Sequence, residues 1–220
     1  YDKLQYTRAC PDAGGRYSVS ELARLYETIG QCQLCRLCKG RTLAVPGDGP
    51  ENAAIMFVGE APGYHEDQQG RPFVGAAGQF LEKLLASINL SRRDVYITNV
   101  VKCRPPENRD PQPDEIIACR PYLNEQIERI KPKIIVTLGR FSMQLAFVGV
   151  SITRVHGIPK KVGDIVYFPM FHPAAALHQP QYRSHIEQDM LKIPQILADL
   201  QTIPVDEERK AQPPQQLSSF

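Results

Sequence analysis

No stretch of these 220 residues approaches the roughly 18 consecutive apolar residues that a membrane-spanning helix requires. The visible start, Tyr-Asp-Lys-Leu-Gln-Tyr, also lacks the apolar core of a signal peptide. A cytoplasmic protein with no membrane partner is therefore the expectation. A surplus of one charge is missing too: 26 Lys and Arg stand against 24 Asp and Glu, a formal net charge of +2. That excludes attraction to nucleic acid through overall charge, so any such surface has to be a local patch. The chain contains no internal repeat, which removes solenoids and propellers.

What is present suffices for one domain, because 42% of the residues are hydrophobic and can fill a substantial core. The expected organisation is a flexible polar segment at 1–19, a single domain at 20–203, and a disordered tail at 204–220 rich in Gln, Pro and charge. Ser20 suits a helix N-cap, and Leu22, Leu25, Tyr26 and Ile29 recur at helical spacing before Gly30. Four short apolar runs, 55–58, 95–98, 134–138 and 166–170, read as buried parallel strands. Helical patterns at 76–88, 114–130, 141–147 and 184–200 alternate with them. The alternation predicts an α/β fold, a three-layer α/β/α sandwich around a four-stranded parallel sheet. Such sheets bind ligands at the carboxyl ends of their strands.

Four cysteines define the first chemical feature. Cys32 and Cys35 form a C-x-x-C, while Cys103 and Cys119 lie far downstream with fifteen residues between them. Four soft thiolates that a fold can bring together suit an iron–sulfur cluster or a tetrahedral zinc, and spacing alone does not choose. A lone C-x-x-C is also compatible with a redox pair. Without a secretory signal, a disulfide framework is the weaker reading. Cys10 and Cys38 are expected bystanders, although Cys32, Cys35 and Cys38 together read as C-x-x-C-x-x-C.

Each predicted strand ends in a chemically pointed loop. After the first comes Gly59-Glu60-Ala61-Pro62-Gly63, with Glu66-Asp67 following. Glycine and proline force a tight turn whose amide N–H groups can face a carbonyl or anion, and the acids can order a water. Asn99 follows the second strand, and its amide offers the donor and acceptor needed to read a pyrimidine edge. Lys102, Arg104 and Arg109 add positive charge beside it, amid Glu107 and Asp110. Phe171-His172-Pro173 follows the fourth, so an imidazole can donate to a ligand oxygen. Phe73, in Gly70-Arg-Pro-Phe-Val-Gly75, can stack on a base.

Taken together these residues resemble the family 4 uracil-DNA glycosylases, the iron–sulfur branch of that superfamily, over about 31 to 200. The likeness rests on Cys-x-x-Cys-Arg-Leu with Gly40-Arg41-Thr42, Gly-Glu-Ala-Pro-Gly with Glu66-Asp67, and Gly70-Arg-Pro-Phe-Val-Gly75. It continues through Tyr96-Ile-Thr-Asn99, Val101-Lys-Cys-Arg-Pro-Pro106, Asn108-Arg109 and Pro169-Met-Phe-His-Pro173. The resemblance implies a DNA-repair hydrolase that excises uracil and so initiates base excision repair. It implies a structural [4Fe–4S] cluster on Cys32, Cys35, Cys103 and Cys119. It places Glu60, Ala61 and Pro62 in the loop meeting uracil, Phe73 stacked on the base, Asn99 on O4 and N3, and His172 on O2. Glu60, Glu66 and His172 become the catalytic set, with Glu66 placing water or crowding C5. Lys102, Arg104, Arg109 and Leu177 become DNA contacts, Leu177 as a wedge. The partner is uracil-containing DNA, single- or double-stranded, and the enzyme is expected to act as a monomer.

Three rivals remain at the level of sequence. A relative that traps itself covalently on uracil sites carries a Lys/Arg-rich insertion ending in His, and 104–111 has neither. An iron–sulfur electron carrier leaves Asn99 and His172 unexplained. A zinc-stapled nucleic-acid module would bind without catalysis.

Overall fold

A computed structural model describes residues 20–206; the expected flexible segment 1–19 and the tail beyond 206 lie outside the described residues. Strands β1 (Ile55–Gly59), β2 (Tyr96–Asn99), β3 (Ile134–Leu138), β4 (Lys160–Val162) and β5 (Ile165–Met170) form one sheet in the order β2-β1-β3-β5-β4. All neighbours run parallel except β4, which pairs antiparallel with β5. The expected four strands are present, with bounds shifted by at most one residue, and a fifth is added. β4 escapes an apolar-run reading because it is three half-buried residues, Lys-Lys-Val, on the sheet edge. Short charged edge strands of this kind discourage pairing with another chain.

Side chains alternate across the strands and so divide the core into two layers. Ile55 and Phe57 of β1, with Ile134, Val136 and Leu138 of β3, face one side. There they meet α3 (Ala76–Ser87), α8 (Gln181–Met190) and α9 (Ile193–Ala198) through Leu81, Leu85, Ile186, Met190 and Ile193. Met56, Val58 and Ile135 face the other side, against α1 (Glu21–Gln31) and α4 (Pro113–Ile130) through Leu25, Ile29 and Leu123. This is the expected three-layer sandwich. Cys103 and Cys119 belong to the second layer, with Cys32 and Cys35 packed against it.

Local chemistry sets most boundaries. Ser20 caps α1, its hydroxyl accepting from the Ala23 N–H at 3.1 Å. The expected helix at 184–200 is two helices, α8 and α9, because Pro194 starts a new first turn. The 141–147 pattern contracts to α5 (Arg140–Met143) followed by turns. Three short helices, α2 (Tyr64–Gln69), α6 (Ile152–Val155) and α7 (Pro173–His178), complete the fold. The tail does not begin as disorder at 204: Val205 bridges to Lys161, the Asp206 N–H donates to Lys161 O, and Asp206 pairs with Lys160. Among the described residues no helix is long and apolar enough to cross a membrane.

Candidate active site

The carboxyl ends of β1, β2, β3 and β5 bring together the residues that the sequence spread over more than a hundred positions. Chain order reverses around β1, since β2 lies on one side of it and β3 on the other, and the crevice there is where such sheets bind ligands. Gly59 and Asn99 are register partners across β1 and β2. A Cβ on Gly59 would strike the Asn99 side-chain oxygen and lie 2.7 Å from the Phe73 ring, so glycine lets the amide and the ring converge. Asn99 is 1% exposed, and among the described residues its side-chain oxygen has no hydrogen-bond partner. A buried polar atom left unpaired costs about 1–3 kcal/mol, which makes this oxygen a candidate for a ligand contact.

Phe73 sits in the left-handed region, φ +53°, where a bulky side chain is strained by about 1–3 kcal/mol. Two charged groups hold it there. Arg92 donates to Phe73 O at 2.9 Å and Pro72 O at 2.7 Å. Glu66, on α2, accepts from Val74 N–H at 2.8 Å and Gly75 N–H at 2.9 Å, with its other oxygen 3.2 Å from Gly63 N. The carboxylate expected to place water is thus spent on three backbone N–H groups, and it ties the Phe73 loop to the Gly59–Gly63 loop. Glu66 thus joins the two loops that wall the crevice.

His172 caps α7, and its ring stands 5.6 Å from that of Phe73 at an interplanar angle of 26°. The Ala174 backbone N–H donates to His172 Nδ1 at 3.1 Å. A backbone N–H can only donate, so Nδ1 is unprotonated and the neutral ring carries its proton on Nε2. Burial pushes the His172 pKa down to about 4, against the opposing pull of Glu66. The ring is therefore a neutral donor through Nε2 at physiological pH.

Glu60 follows β1 and lies half-buried, its carboxylate 3.4 Å from the Phe141 N–H. Burial raises its pKa above the usual carboxylate value, with Asp110 adding to the shift and Arg140 opposing it. The Gly139 backbone, φ +96°, is wedged between Glu60 and His172; a Cβ there would strike the Glu60 carboxylate and lie 3.3 Å from His172 Cβ. Ala61 is partly buried and Pro62 buried in the same turn. Gly139 was not singled out in the sequence, although a glycine directly after a strand is the signal that finds it.

The basic candidates divide. Lys102 is 1% exposed, and its Nζ lies within hydrogen-bond distance of Thr98, Asn99 and Gln126 oxygens. It cannot reach a phosphate, which corrects the expected DNA contact. Arg109 closes its fork on Glu115 at 2.9 and 2.6 Å, anchoring the start of α4. Arg104 is part-exposed, 5.1 Å from the Tyr64 ring centre and 2.7 Å from Asn108 Oδ1. Leu177 is 49% exposed on α7, one and a half turns beyond His172.

Cys32, Cys35, Cys103 and Cys119 line one shallow pocket with Arg41, Lys102 and Tyr122; Cys38, expected outside the set, also borders it. Among the described residues no three His, Cys, Asp or Glu side chains form a site for a single metal ion. The donor chemistry nevertheless fits a cluster. Arg41 donates to Cys103 Sγ at 3.1 Å, Lys102 N–H to Cys119 Sγ at 3.2 Å and Leu34 N–H to Cys32 Sγ at 3.5 Å. Hydrogen bonds of this kind to sulfur surround and tune cysteine-held clusters. Burial pushes the Cys119 thiol up to about 11 and raises Cys103 and Cys35 as well, so metal binding has to displace protons.

The Asn99 amide, the Phe73 ring and the His172 imidazole thus share one crevice at the sheet end of this α/β domain. Residues 46–193 match the model of the uracil DNA glycosylase superfamily, and the chain belongs to that superfamily. It is 51% identical over 185 residues to a type-4 uracil-DNA glycosylase of Sulfurisphaera tokodaii, covering 80% of this chain and 84% of the relative. The type-4 enzyme of Saccharolobus solfataricus is 47% identical over 82% of this chain and 88% of its own length. That of Thermotoga maritima is 46% identical over 73% and 86%.

Proposed function

We propose that this protein is a uracil-DNA glycosylase that hydrolyses the N-glycosidic bond of deoxyuridine in DNA and so opens base excision repair. The observation that carries the reading is the buried Asn99 amide, its oxygen unpaired, set against the Phe73 ring. Uracil presents an N3–H donor beside an O4 acceptor, the complement of that amide. Cytosine presents the reverse pattern and leaves both polar pairs mismatched, which is how a fixed amide discriminates strongly.

The base has to leave the helix to reach this crevice, and Phe73 gives the extruded ring a face to stack on. As the C1′–N1 bond breaks, its electron pair passes to uracil, charge gathers on O2, and the sugar becomes oxocarbenium-like. His172 Nε2–H donates to O2 where that charge develops, and the rigid Nδ1 contact holds the ring in place. One preorganised donor of this type is worth about 3–4 kcal/mol, or two to three decades in rate. Water then adds at C1′ and releases a proton. With Glu66 committed to backbone, Glu60 is the acid that orients this water. Its desolvation favours taking up the proton.

The cysteine set Cys32, Cys35, Cys103 and Cys119 would hold a [4Fe–4S] cluster, which supplies structure by joining the α1 end, the loop after β2 and α4. Arg104 and Leu177 would supply the phosphate and wedge contacts, and Arg109 anchors the start of α4 through Glu115. The protein's partner is uracil-containing DNA, on which we take it to act as a monomer. Incubation with a single-uracil oligonucleotide followed by alkali should give strand scission at the uracil; an intact strand would reject the proposal.

A further inference from the structure

Lys102 is the largest charged side chain buried in the core, and the excision chemistry above does not use it. Its Nζ donates to Gln126 Oε1 at 2.6 Å, Thr98 Oγ1 at 2.7 Å and the main-chain oxygen of Asn99 at 2.7 Å. The Thr98 hydroxyl donates onward to Pro46 O at 2.7 Å, so all three groups around Nζ are acceptors. Three acceptors match the three N–H bonds of an ammonium group. Asn99 is the last residue of β2, and its main-chain oxygen accepts from Lys102 Nζ. Lys102 therefore caps the strand at the residue whose side chain faces the base.

The same residue reaches the cysteines. Its backbone N–H donates to Cys119 Sγ at 3.2 Å, and its own carbonyl accepts from Val45 N–H at 2.8 Å. Cys103 is the next residue. Gln126 extends the network further, donating to Tyr96 Oη at 2.9 Å and to Pro46 O at 2.8 Å.

We infer that Lys102 is a positioning residue for base recognition: by holding the Asn99 main chain from inside the core, it fixes the amide that reads uracil and ties its placement to the cysteine cluster. The inference rests on the excision reading above and deepens it. It acts through Asn99 and touches neither base nor phosphate, so its signature is in base binding rather than in DNA binding.

The test uses the full chain with its cluster and compares wild type with Lys102→Met, which keeps the length and removes the donors. Free uracil serves as the probe of the base site, and duplex DNA with an abasic site as the probe of everything else. Lys102→Met should stay brown, weaken inhibition by free uracil by about tenfold or more, and slow single-turnover excision similarly, the scale of one lost buried hydrogen bond. Affinity for abasic DNA should change by less than about twofold, because Asn99 has no base to read there. A merely structural lysine would lower the melting temperature while folded, active-site-titrated protein kept its uracil inhibition and rate; that result overturns the inference. Should Lys102→Met fail to fold, Thr98→Val, nearly isosteric and lacking one acceptor, should weaken uracil inhibition in the same direction. Unchanged inhibition in Thr98→Val then overturns it. A wild-type protein that neither cuts uracil DNA nor is inhibited by uracil would instead reject the parent reading.

Discussion

Replacing Glu66 by alanine removes the acceptor of the Gly63, Val74 and Gly75 backbone N–H groups in one step. Hydrogen bonds to a charged partner contribute about 1.5–3 kcal/mol each, so three set an upper bound of about 4–9 kcal/mol. The side chain is only half-buried, and water will replace part of this. A net shift of about 3 kcal/mol toward an open loop remains, enough to change the closed-to-open ratio by about a hundredfold. Glu66→Ala should therefore cut single-turnover excision by about a hundredfold. Glu66→Gln keeps one oxygen for Val74 and Gly75 but sets an NH2 against the Gly63 N–H, and should lose only about tenfold. An acid that deprotonated water would fail equally in both variants, because an amide takes no proton at working pH. Single-turnover rates of the two variants side by side decide between these roles. Equal loss in Glu66→Gln and Glu66→Ala would refute the clamp and restore Glu66 to the chemistry.

Asn99→Asp replaces the amide donor toward O4 with an acceptor, so uracil excision should fall by about two decades or more, the scale of a buried polar mismatch, with any gain appearing on cytosine. Unchanged excision by a folded Asn99→Ala protein would remove Asn99 from the pocket. Cys103→Ala and Cys119→Ala should bleach the purified protein and lower its solubility, whereas Cys38→Ala should stay brown; the reverse pattern would reassign the ligands. Because the folded pKa of His172 lies near 4 and its unfolded value near 6.5, the neutral ring's contribution to stability is complete above about pH 6.5 and is lost as pH falls toward 4. The His172 ring resonance followed by NMR should titrate near 4, and a midpoint at 6–7 would contradict its burial and its tautomer.

The sandwich was legible because buried parallel strands are written as uninterrupted apolar runs, and 134–138 matches β3 at both ends. The edge strand β4 was not, since a charged three-residue strand has no period to detect. Helices of four to six residues, such as α2 and α7, are likewise too short for a 3.6-residue repeat to register. Asn99 and His172 were legible as candidates because each follows an apolar run and is chemically out of place there. What stayed hidden was direction. Nothing in the sequence says that Lys102 turns inward to Gln126, 24 residues away, or that Glu66 turns back onto the Phe73 loop. Glu66 pairs only with backbone N–H groups, which leave no trace in residue identity, and Lys102 pairs with neutral oxygens rather than with an opposite charge that the sequence would show.

The central claim is that a neutral His172, oriented from behind by the Ala174 N–H, stabilises the departing uracil. The measurement that meets it most directly is single-turnover cleavage by His172→Ala at saturating enzyme, paired with its affinity for the same uracil duplex. The account predicts cleavage slower by about a hundredfold or more, on the scale of a lost oxyanion donor, because the interaction strengthens only as charge develops. Affinity should change far less, since phosphate contacts dominate DNA binding. A His172→Ala protein that cleaves at the wild-type rate, or that loses binding and cleavage in equal measure, would contradict it.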